Sequence, residues 1–149
     1  MNKNQHIPNK ELVICDIDGT VADNEHRQEL LKGFKDWDAF FDEMHLDKPI
    51  WPVINLVNDL HKDNKKIIFI TGRPERYREK TTTWLKKYFN FEISLYMRED
   101  NDKENKLISK LKIYEENLSR YDVHLVIDND ESLLEMWANL GLTTHEVQV

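Results

Sequence analysis

LVICDIDGTVA, residues 12–22, opens on a run of four apolar residues and follows it with two aspartates separated by one residue and a Gly-Thr pair. Leu12 to Cys15 has the character of a buried strand, and Gly19 supplies the punctuation that ends it. Asp16 and Asp18 therefore stand where a strand leaves the core, and period-two alternation turns both to one side. Two like charges so placed need compensation.

The sequence beyond this stretch repeats the same grammar. Short apolar strands at Lys66 to Thr71, Ile93 to Met97 and Val123 to Asp128 alternate with amphipathic stretches. A fifth strand is expected near Thr144 to Val149. The helical stretches are PVINLVNDLHKD after Trp51, ERYREKTTTWLKKYF, ENKLISKLKIYEENL and ESLLEMWANLG, the last stopped by Gly141. Such alternation predicts an α/β fold, a Rossmann-like three-layer sandwich with a mostly parallel sheet and helices on both faces. One domain accommodates the 149 residues. Asp23 to Lys48, rich in charge and containing KDWDAFFDEM, is the only long interruption and predicts a small helical elaboration.

Composition narrows the function classes. A net charge of −7 argues against a general nucleic-acid coat, although Arg73 to Lys87 holds six basic residues against two acidic ones. That run reads equally as a solvated helix face. No apolar run approaches the roughly 18 residues of a membrane span, so no membrane partner is expected. The polar start MNKNQHIPNK lacks a secretory pattern, and a cytoplasmic location follows as the default. The single cysteine, Cys15, lies in an apolar run with no cation in view and reads as core.

In parallel sheets ligands gather at the carboxyl ends of strands. Here those ends carry Asp16 and Asp18, then Thr71-Gly72-Arg73, then Arg98-Glu99, then Asp128-Asn129-Asp130. Three or more carboxylates around one point call for a divalent cation. An all-oxygen donor set favours Mg²⁺, which binds through few carboxylates and leaves room for phosphate. Thr71 offers a hydroxyl, Gly72 a close backbone approach and Arg73 a planar fork of donors, together suited to a phosphate under attack. Lys110 adds a positive charge, with Lys106 one turn earlier.

DxDGT at Asp16 to Thr20, Thr71, Lys110 and Asp128, in that order, resemble the haloacid-dehalogenase-like (HAD) phosphatase superfamily across nearly the whole chain. The resemblance implies Asp16 as nucleophile through an aspartyl-phosphate and Asp18 as general acid and base. It further implies Mg²⁺ held by Asp16, the main-chain carbonyl of Asp18 and Asp128. DIDGTVADNEHR, ITGRPERYREKTTTWL, LYMRED and VIDNDESLLEMWANLGL are similar to the 3′-phosphatase domain of polynucleotide kinase-phosphatases. That closer likeness implies phosphorylated 3′ ends of DNA or RNA, or nucleotides, as substrates, with Arg27 and Arg73 on the phosphate side. The fourth motif departs from the usual paired acids: Asn129 follows Asp128, and either Asn129 or Asp130 would replace the second acid in the metal set. Glu104-Asn105-Lys106 also replaces the usual Arg-x-Asp before the lysine. No GxxxxGK[ST] kinase motif occurs, and the intervals between motifs are too short for a large cap domain. A small-metabolite or 5′-nucleotide phosphatase, and a weakly active phosphate-binding protein, stand as the alternatives. Trp37, Phe40 and Phe41 read first as helix-packing residues, with base stacking as the second reading. His26 reads as an exposed neighbour of Arg27.

Overall fold

The strand anticipated from LVIC lies at the centre of a sheet in the computed structural model, which describes residues 9–148. In chain order the elements are β1 (Leu12–Cys15), β2 (Ala22–Asp23), α1 (Trp37–Asp42), β3 (Lys48–Pro49) and α2 (Trp51–Lys62). They continue with β4 (Lys66–Pro74), α3 (Arg78–Tyr88), β5 (Leu95–Arg98), α4 (Lys106–Asn117), β6 (Val123–Asp128), α5 (Glu131–Asn139) and β7 (Thr144–Glu146). Segments of 3₁₀ helix occupy Glu25–Leu31, Met44–Leu46 and Glu75–Tyr77, the first of them seven residues long. The polar start falls largely on residues 1–8, and with Val149 these lie outside the described residues.

The five-stranded sheet has the order β5-β4-β1-β6-β7, and every pairing in it is parallel. Alternation along β1 and β4 divides the core in two. Val13, Cys15, Ile67 and Phe69 face α2 and α3, whereas Leu12, Ile14, Ile68 and Ile70 face α4 and α5. Both layers are dry, with Trp84 buried in the first and Trp137 in the second. This is the expected α/β sandwich, and its parallel strands aim their carboxyl ends at one edge.

Three details differ from the sequence reading. The third strand begins at Leu95 rather than Ile93, because Phe69 N–H bonds Ser94 O only where the chain reaches β4. β4 runs on to Pro74 through an irregular register between Thr71 and Pro74. The 23–48 segment adds a short antiparallel pair, β2 with β3, to its helical turns. That pair returns the segment to the sheet edge, placing residue 47 near residue 27. Gly141, at φ +84°, ends α5 as expected. Among the described residues, no helix is long and apolar enough to cross a membrane.

Candidate active site

Asp16 follows β1 directly and is 8% exposed. Its Oδ1 accepts from Lys110 Nζ at 2.6 Å, and its Oδ2 accepts from Thr20 Oγ1 at 3.0 Å. α4 supplies Lys110 because its crossover from β5 to β6 passes over the end of β1. Lys110 Nζ also stands 3.7 Å from Asp128 Oδ2, making one buried ammonium the counter-charge for two carboxylates. Burial and the charge of Asp128 push the Asp16 carboxyl up to about 7 against the pull of Lys110. Burial favours the neutral amine of Lys110, but Asp16 and Asp128 outweigh it and hold the lysine protonated. Cys15 beside them is fully buried, and desolvation raises its thiol well above the ordinary range. It packs; it does not react.

The turn after Asp16 is wound tightly on Ile17, whose carbonyl accepts from the N–H groups of Thr20, Val21 and Ala22. Gly19 makes this possible at φ +78°. A Cβ there would lie 2.3 Å from the Asn129 side-chain nitrogen. Gly19→Ala is therefore expected to cost about 1–3 kcal/mol, read from the urea midpoint, and to displace Asn129.

Asn129 decides how the fourth motif works. One terminal atom of its amide lies 3.2 Å from both Asp16 Oδ2 and Asp18 O, and 3.1 Å from Thr20 Oγ1. Set as the NH₂, it donates to those three oxygens. Set as the carbonyl oxygen, it adds a third oxygen 3.2 Å from both Asp16 Oδ2 and Asp18 O, an all-oxygen donor set of the kind Mg²⁺ takes. The donor set thus fits a small hard cation. Asp128 is placed otherwise than as a free ligand. Its Oδ1 accepts from the backbone N–H groups of Asn129 at 2.8 Å and Asp130 at 3.2 Å, while Oδ2 faces Lys110 and Trp137 Nε1. Asp130 caps α5 and pairs with Lys106, so Asn129 is the residue of this motif that reaches Asp16 and Asp18.

Asp18 is held from the opposite side. Its Oδ1 accepts from Arg27 Nη2 at 2.7 Å and Arg73 Nη2 at 2.8 Å, and its Oδ2 from Arg73 Nε at 3.0 Å. Burial raises the Asp18 carboxyl, but Arg73 and Arg27 outweigh burial and lower it below the usual range. Both arginines were expected to face phosphate. Their remaining donors go elsewhere: Arg27 to both oxygens of Asp47 and to Phe40 O, Arg73 to Asp47, Thr81 and Met44 Sδ. The reason is burial, since each is at most 1% exposed and every guanidinium N–H must find an acceptor inside the protein. Thr71 is buried and its hydroxyl accepts from Arg73 N–H at 3.1 Å. Gly72 is exposed, and a Cβ there meets nothing within 4 Å, leaving its backbone open to a ligand.

The sequence reading missed Asp47. Its carboxylate is wholly buried and receives Arg27, Arg73 and His26, the last at 2.7 Å, while its carbonyl accepts from Trp84 Nε1. His26 is consequently a partner of this network rather than a bystander. The available signal was an acid in HLDKPI just before β3, in a segment already supplying Arg27.

With this geometry in view, the relatives are informative. Residues 10–149 match the family described as the polynucleotide kinase PNKP phosphatase domain. A protein of Autographa californica nuclear polyhedrosis virus, described as a bifunctional polynucleotide kinase/RNA ligase, is 33% identical over 137 residues. The match covers 89% of this chain and 18% of that protein. A chain of the Pnkp1/Rnl/Hen1 complex is 30% identical with a TM-score of 0.74, covering 97% of this chain and 48% of that one. The class C acid phosphatase of Bacillus anthracis, at 17% identity and a TM-score of 0.59, covers 91% of this chain and 63% of its own and shares the fold. The chain thus spans under a fifth of the viral relative and about half of the repair-complex chain. The match from residue 10 to 149, on a parallel sheet that gathers Asp16, Asp18, Thr71, Lys110 and Asp128 at one edge, makes this chain a HAD-type phosphatase of the PNKP phosphatase-domain family.

Proposed function

We propose that the chain is a Mg²⁺-dependent phosphomonoesterase that removes 3′-phosphates from nucleic-acid ends or nucleotides through an aspartyl-phosphate on Asp16. The observation carrying this reading is the division of labour around the DxD pair. Asp16 meets Lys110 and the Asn129 amide, whereas Asp18 is clamped by two arginines that Asp47 in turn neutralises.

An Asp16 carboxylate oxygen attacks phosphorus in line, and the bond from phosphorus to the 3′ oxygen breaks. Lys110 and the open backbone at Gly72 face charge that builds on the phosphoryl oxygens. Asp18, fixed by the arginine forks, delivers a proton to the departing 3′ oxygen. Water then attacks phosphorus, Asp18 takes its proton, the bond to Asp16 breaks and inorganic phosphate leaves. Arg27 and Arg73 hold resting Asp18 ionised, the form the second half requires. An approaching phosphate dianion is a like charge and raises its proton affinity, so Asp18 takes up a proton from solvent as substrate binds and passes that proton to the 3′ oxygen in the first half. Asp16, the carbonyl of Asp18 and Asn129 would hold Mg²⁺, which when bound would neutralise the crowded anions.

Two measurements test the reading. Given 3′-phosphorylated oligonucleotide, 3′-nucleotide, 5′-nucleotide and an aryl phosphate, the protein is expected to favour the 3′-phosphates and to lose turnover in chelator. Preference for the 5′ or aryl ester would assign it to small esters, and phosphate binding without turnover would make it a binding protein. Independently of turnover, calorimetric titration of Mg²⁺ should find at least about tenfold tighter binding in Asn129→Asp, because a carboxylate replaces an amide in the oxygen trio. Unchanged affinity would remove Asn129 from the metal set.

A further inference from the structure

The structure separates the aromatic residues of the 23–48 segment. Phe40 and Phe41 are buried with Met44, but Trp37 remains 48% exposed. Trp37 lies nearly parallel to Phe41 at 6.0 Å, and Phe41 in turn tilts on Tyr77 at 5.1 Å. The guanidinium of Arg76 sits 5.0 Å above the Tyr77 ring. Beyond Tyr77 this ladder opens into a groove of about 510 Å³ along α3, lined by Arg76, Tyr77, Lys80, Thr83 and Lys87 with one carboxylate, Glu79, among them. One end is tied to the site. Arg76 is three residues past Arg73, and Phe40 carries the Arg27 guanidinium at 4.2 Å from its ring.

Acidic side chains brace this surface. Asp38 accepts from Arg76 Nη2 at 3.3 Å and from the Tyr77 hydroxyl at 3.1 Å, and Lys80 Nζ donates to Asp42 O at 3.1 Å. Lys87 makes no ion pair among the described residues. In a chain of net charge −7, this groove gathers Arg76, Lys80 and Lys87 against the single carboxylate Glu79, beside the Tyr77 ring. Aromatic faces accept bases of any sequence, while lysines and arginines follow the phosphates.

We propose that Trp37, Tyr77, Arg76, Lys80 and Lys87 form a track for the single-stranded nucleotides that precede the 3′-phosphate. The track rests on the polynucleotide reading above and adds to it where the strand runs. A mononucleotide has nothing to lay along it.

The test compares kcat/KM on a 3′-phosphorylated single-stranded oligonucleotide and on a 3′-nucleotide, for the parent chain and for Trp37→Ala, Lys80→Gln and Lys87→Gln. Each variant is expected to lose about tenfold on the oligonucleotide, mostly through KM, and to keep the parent rate on the nucleotide. Each lysine variant should also flatten the salt dependence of the oligonucleotide rate by roughly 0.7 in log-log slope. Equal losses on both substrates, or an unchanged oligonucleotide rate, overturn the track alone. A parent chain that dephosphorylates neither substrate overturns the polynucleotide reading, and the track with it.

Discussion

Asp16→Asn is expected to lower kcat on a 3′-phosphorylated oligonucleotide by at least about 10⁴-fold, because the substitution removes the attacking oxygen itself. The fold should survive. Lys110 keeps its second partner, Asp128 Oδ2 at 3.7 Å, and the repulsion between two buried carboxylates is relieved. Stability is thus expected to change by no more than about 1 kcal/mol, since an amide of the same shape replaces a buried charge that was itself costly to desolvate. Far-UV circular dichroism and a urea melt would establish the fold, and single-turnover kinetics with labelled substrate would follow phosphate. Near-normal turnover in this variant would move the covalent step away from Asp16.

The opposite profile is expected of Asp47→Ala. This substitution touches no reacting atom, yet it removes one of the two carboxylates Arg27 and Arg73 share, at 2.8 and 3.3 Å, and leaves both on Asp18 alone. Both guanidiniums are buried, and leaving buried charges without their partner costs about 3–5 kcal/mol, to be read from the urea midpoint. The backbone contact from Trp84 to residue 47 is retained, so the loss reports the side chain. Activity should fall as well, by about 10²-fold, because the forks that orient Asp18 lose their anchor. A stable, fully active Asp47→Ala protein would mean that Asp18 is oriented without this hub.

How much of this was legible in the sequence depends on where each residue stands. Asp16, Thr71 and Asp128 are fixed by strand ends, and once the apolar runs are located their meeting at one edge follows from parallel pairing. Lys110 was legible for a similar reason: a crossover helix before β6 must pass over β1. The roles of Arg27 and Arg73 were harder, since a basic residue near a phosphate site suggests direct contact. Only the burial of both side chains reveals that their donors turn inward. Asp47 was hidden because it stands in a charge-rich segment, where one more acid reads as solvated. Its place depends on the β2–β3 pairing, a contact between residues 25 positions apart that no local pattern announces. Asp128 also gave no hint in sequence that its Oδ1 would accept from the backbone N–H groups of Asn129 and Asp130, the contact that leaves Asn129 as the proposed metal ligand.

The order of strands in space also bears on how the chain comes into being. β1 leaves the ribosome ahead of both strands that flank it, β4 by some fifty residues and β6 by more than a hundred. The nascent LVIC segment must therefore wait unpaired while the roughly hundred residues up to β6 are made, when such edges invite aggregation. Hydrolysis cannot begin until Asp128 arrives, so the appearance of turnover during cell-free synthesis would time the closing of the last gap beside β1.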